Sequence, residues 1–123
     1  MPSIRITTGD WGKQLGQQSL VRVRAALADA LDMDPADQDL VVHSVDDNHW
    51  INPDATSRLF TRIEVTMWQG QNLAAKQRLF DAFAGVLEAH HVRPNDIKLI
   101  IYEVPPENVG LGRRPGEPVT RSP

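Results

Sequence analysis

At 123 residues, with 41% hydrophobic and 24% charged residues, the chain has room for one domain around one core and an ordinary globular composition. A net charge of −3 gives no basis for binding nucleic acid or an anionic membrane surface. The lack of cysteine excludes disulfides, a thiol nucleophile and a zinc–thiolate site, and with no apolar run near the ~20 residues of a membrane span and no signal-peptide pattern a soluble, cytoplasmic protein is expected.

The chain opens Met1-Pro2-Ser3-Ile4-Arg5-Ile6-Thr7. Proline has no N–H for a ladder and belongs at the first position of a strand, while Ile4 and Ile6 alternate with Ser3, Arg5 and Thr7 as a strand requires. An initiator methionine before so small a residue is normally trimmed. Trimming would leave Pro2 as a terminal secondary amine, a group able to serve as general base or nucleophile once its surroundings lower its pKa. A loop marked by Gly9 and Gly12 follows.

Leu20, Val23, Leu27 and Leu31 then recur at spacings of three and four, which predicts a helix from about Gln18 to Leu31, stopped before Pro35. Leu40 to Val45 reads as a short strand, Asp46 to Arg58 as a polar loop, and Phe60 to Met67 as a third strand. Asn72 is placed to cap a second helix, Leu73 to His90, whose apolar face is Leu79, Phe80, Phe83, Val86 and Leu87. Ile97 to Val104 forms the last strand before Pro105-Pro106.

This β-α-β-β-α-β order contains a repeat. Moved forward by 59 residues without a gap, Ile4 and Ile6 fall on Ile63 and Val65, Leu20 on Leu79, Pro35 on Pro94, Asp37 on Asp96, and Leu40-Val41-Val42 on Leu99-Ile100-Ile101. The prediction is an α+β fold of two tandem β-α-β units, residues 2–60 and 61–112, in a domain of residues 1–112. Four strands form one sheet with both helices on one face, and residues 113–123 make an irregular tail. A β-α-β unit has parallel strands, and its crossover is normally right-handed. The sheet face and edges left bare point to a symmetric oligomer. The halves differ at the start: Pro2 falls on Thr61, which carries no free amine, Lys13 on Asn72, and Asp39 on Lys98.

Four stretches give the chain its resemblance: Met1-Pro2 with its strand and glycine loop, Ala75-Lys76-Gln77-Arg78-Leu79, Arg93-Pro94-Asn95-Asp96-Ile97, and, most specifically, Tyr102-Glu103-Val104-Pro105-Pro106-Glu107-Asn108-Val109-Gly110-Leu111-Gly112. Through these it resembles the tautomerase superfamily, the 4-oxalocrotonate tautomerase-like group. Its doubled length is similar to the fused members, malonate semialdehyde decarboxylase and the 3-chloroacrylic acid dehalogenases among them. The resemblance implies a tautomerase/MIF-like fold, a homotrimer, and an isomerase, or a related hydratase, dehalogenase or decarboxylase. Its base would be Pro2, acting on a small enol or keto carboxylate without a cofactor or metal. The cations available to hold that carboxylate are Lys98, Lys13, Arg113 and Arg114. The sequence departs from the family at Gly12-Lys13, where a Gly-Arg pair is usual, at Val109, where an aromatic residue closes the family's chain, and at Gln69 and Gln71, where the decarboxylase carries paired arginines. The same element order also fits a ferredoxin-like ligand-binding module, or a member of the superfamily without catalysis.

Overall fold

The computed structural model describes residues 1–117. Strand β1 (Ser3–Thr8) leads through a short 3-10 turn, Asp10–Gln14, into helix α1 (Gln17–Leu31), and β2 (Asp39–Ser44) returns parallel to β1. Strand β3 (Thr61–Trp68), helix α2 (Leu73–Leu87) and β4 (Ile97–Val104) repeat the unit, with β4 parallel to β3. One antiparallel pairing, β1 against β3, joins the units into a sheet of order β2-β1-β3-β4. This is the α+β architecture that the periodicity predicts.

The helices pack side by side over one sheet face. Ile4, Ile6, Ile63, Val65 and Met67 from the two central strands meet Val23 and Leu27 of α1 and Ala75, Leu79, Phe83, Val86 and Leu87 of α2. Leu40, Val42, Leu99 and Ile101 extend this layer along the outer strands. Strand alternation turns Arg5, Glu64, Ile100 and Tyr102 to the other face, which neither helix covers. No helix among the described residues is long and apolar enough to cross a membrane.

The 59-residue repeat extends into the backbone. Both helices hand over to a residue in the left-handed region, Asp32 (φ 52°) and its image His91 (φ 66°). The 3-10 turns Pro35–Asp37 and Asp47–His49 fall on Pro94–Asp96 and Pro106–Asn108. Arg5 pairs in register with Glu64, its own repeat image, and their side chains stand 4.0 Å apart, so a pseudo-twofold axis passes between them.

Two expectations change in detail. The loop after β1 winds into the 3-10 turn because Trp11, only 6% exposed, is drawn into the core and carries the backbone with it. The second helix leaves α geometry at Leu87 and continues as the 3-10 turn Glu88–His90, ahead of the left-handed His91. Asn72 caps α2 as expected, its Oδ1 accepting the Ala75 N–H at 2.9 Å. Residues 113–117 belong to no helix or strand; the rest of the expected tail, 118–123, lies outside the described residues.

Gly12 is required by close approach: a Cβ there would collide with the hydroxyl of fully buried Thr8. Gly12→Ala should therefore cost about 1–3 kcal/mol, the usual range for overpacking, in denaturant unfolding.

Candidate active site

Pro2 precedes β1 and is buried. Its carbonyl accepts the Asp39 N–H at 3.3 Å, and next to it the Ser3 hydroxyl donates to Asp39 Oδ1 at 2.6 Å. Asp39 thus ties the start of β1 to the start of β2. Extending the β1–β3 register by one residue sets Pro2 opposite Met67 and Met1 opposite Trp68, at the end of the sheet where β3 and β4 finish.

A cavity of about 280 Å³ opens at this end. Pro2, Met67, Trp68 and Gln71 line one side; Leu31, Asp32 and Met33, where α1 ends, line another, and Met1 completes the wall. The wall is mostly apolar and rich in thioethers. Its polar groups are the Gln71 amide and the Asp32 carboxylate; strand alternation turns the Trp68 side chain to the uncovered face, where its indole N–H is buried without an acceptor among the described residues.

Gln71 stands in a loop that is pinned from below. Gly70 (φ 116°) turns the chain in a region that side chains rarely adopt, and its N–H reaches Glu103 Oε2 at 3.4 Å. Glu103 also pairs with Lys76 of α2. The hydrogen bond from Lys76, helped by the Gly70 N–H, holds the Glu103 carboxyl below its usual range. That contact is therefore present above the ordinary carboxylate pKa and is lost as pH falls through the lowered one. The pair fastens β4 to the loop that presents Gln71.

Of the five residues singled out from sequence as site candidates, Pro2 alone lines the cavity. Lys98 is exposed on the open sheet face, in register with Arg62, five residues along β3 from the position opposite Pro2. That is about 16 Å at the usual rise per strand residue. Lys13 is also at the far end, beyond the end of β1, with its Nζ 3.5 Å from Asp10. Arg113 and Arg114 follow β4 and are exposed; Arg114 Nε is 2.7 Å from Glu117. Within one chain the register keeps Lys98 and Lys13 away from Pro2, and Arg113 and Arg114 are not among the residues that line the cavity. Sequence reasoning did not pick out Asp32, Met33 or Trp68. The signal was available: Asp32 follows directly on the predicted helix, and Trp68 is the next residue after the predicted third strand.

The two ends of the sheet have diverged. The repeat images of Met1, Pro2, Leu31 and Asp32 are Phe60, Thr61, His90 and His91. At that end Trp11 occupies the space: its ring centroid is 6.1 Å from that of His90, and its indole N–H donates to the Phe60 carbonyl at 3.4 Å. The Thr61 hydroxyl is spent on the Leu59 carbonyl at 2.9 Å. The Pro2 end is hollow and its image is filled.

Comparison with solved structures places this architecture among known ones. A malonate semialdehyde decarboxylase inhibited by 3-bromopropiolate aligns at TM-score 0.68 and 22% identity, over 91% of this chain and 88% of that one. A native fused 4-OT aligns at TM-score 0.79 and 12% identity, over 92% and 94%. A wild-type fused 4-OT described as an asymmetric trimer aligns at TM-score 0.76 and 14% identity, over 92% and 94%. At such identities the likeness concerns the fold. Comparison with curated protein sequences finds no match. Residues 37–112, more than half of the chain, match the family described as tautomerase enzyme, and on that match the chain belongs to the tautomerase family.

Proposed function

We propose that the protein moves a proton between carbon and oxygen of a small enol or keto carboxylate, with Pro2, freed by removal of Met1, as the general base. The observation that carries this reading is the position of Pro2: buried, tied to β2 through its carbonyl, and lining a cavity of about 280 Å³. Family membership supports the chemistry, although the matched stretch begins at residue 37 and leaves Pro2 outside it. While Met1 is attached, the Pro2 nitrogen is an amide and cannot take a proton. Its removal frees the amine and takes away one wall of the cavity.

The carboxylate needs a cation. Lys98 projects from the uncovered sheet face, so it meets a substrate across a contact between copies of the chain; Lys13, Arg113 and Arg114 are the helpers proposed with it. A homotrimer would cover this face, where Tyr102 is 47% and Val41 43% exposed. Trimers among the structural neighbours support that reading. Sedimentation should show the trimer at micromolar concentration; a stable monomer would count against it. Lys98→Ala should lower kcat/KM at least tenfold, from loss of a charged contact worth about 1.5–3 kcal/mol. Unchanged kinetics would remove Lys98 from the site.

The reading as a whole is tested by a ketonisation screen over aryl and dicarboxylate enols, with the N-terminal mass recorded on the same sample. Turnover above the uncatalysed rate by protein that has lost Met1 is expected. Processed protein that turns over no enol would overturn the proposal.

A further inference from the structure

The cavity wall bears on which enol is taken. We infer that Gln71 holds the substrate's reacting oxygen through an uncharged donor, and that the pocket selects an enol with an apolar, aryl-sized body over one with a second carboxylate. This rests on the Pro2 reading and concerns the same cavity.

Three observations support it. Leu31, Met33 and Met67 give the wall an apolar lining, and thioether side chains adapt readily to a flat ring. Asp32 lies on the same wall, where its charge repels a second anionic group. Gln71, presented on the pinned loop, adds an amide donor without adding charge. An arginine in its place would offer a planar, charged fork suited to a carboxylate; glutamine does not.

Calorimetric titration of the full chain lacking Met1 tests this with two stable probes, the aryl monocarboxylate cinnamate and the dicarboxylate muconate. Cinnamate should bind at least tenfold more tightly. Gln71→Arg, at an exposed loop position that leaves the core untouched, should shift the ratio at least tenfold toward muconate. In enol turnover, Gln71→Leu, which removes the amide donor at the same exposed position, should lower kcat about tenfold. Preference for muconate in the wild type, or a ratio unmoved by Gln71→Arg, would overturn the inference. Binding is read apart from catalysis, so the two readings fail separately. If Pro2→Ala abolishes turnover while muconate binds better, only the specificity inference falls. If Pro2→Ala turns over enols like the wild type, the base assignment falls, whatever the binding ratio.

Discussion

Pro2→Ala should lower the turnover of an aryl enol by about 100-fold or more and leave the fold intact. General acid–base catalysis by a placed group contributes roughly 10²–10⁴-fold, and alanine at the terminus supplies a primary amine of different basicity on a less constrained backbone. The fold should survive because Pro2 contributes a carbonyl, not an N–H, to the ladder, and alanine keeps that carbonyl for the Asp39 N–H. Circular dichroism and sedimentation matching the wild type, together with collapsed kcat, is the expected pair of results. Equal turnover by wild type and variant, both lacking Met1, would remove Pro2 from the chemistry.

Trp11→Ala should have the largest effect on stability and almost none on turnover per folded molecule. The indole is nearly fully buried, packs against His90 and donates to the Phe60 carbonyl, filling the space that is the image of the Pro2 cavity. Emptying it should cost about 3–5 kcal/mol, the usual range for deleting a large buried aromatic ring. That corresponds to a fall of roughly 10–20 °C in Tm for a domain of this size. The Pro2 cavity is at the other end of the sheet, so kcat/KM measured well below the new Tm should stay within about twofold. A small loss of stability would mean that Trp11 does not fill that end.

The architecture was legible because each half carries its own period. Alternation in Ile4 and Ile6, three-and-four spacing from Leu20 to Leu31, and Pro35 beyond the helix each restrict the backbone locally, and the 59-residue offset says that the same restrictions apply twice. The left-handed residues were not legible: Asp32 and His91 share no side-chain chemistry, and only the handover from helix to turn makes them equivalent. The 3-10 turn at Asp10–Gln14 was missed for a related reason. Two glycines signal a loop locally, whereas the conformation is set by the burial of Trp11 against the second half of the chain.

Of the residues lining the candidate cavity, Pro2 is the one that the sequence singled out. Pro2 announces itself by position and chemistry. The remainder of the cavity comes from the end of α1, the end of β3 and the loop before α2, segments brought together by the antiparallel β1–β3 pairing, which no local pattern encodes. Lys98 shows the converse: a charged residue in an apolar strand attracts attention in the sequence, but the parallel register of β4 with β3 carries it to the far end of the sheet.

The central claim concerns the amine of Pro2, and the presence of Met1 is its natural control. Protein purified with Met1 in place should be assayed for enol ketonisation before and after treatment with a methionine aminopeptidase, with the processed fraction read by intact mass. Turnover rising from the uncatalysed level in proportion to the processed fraction is the predicted result. Turnover already present with Met1 attached, and unchanged by its removal, would contradict the account.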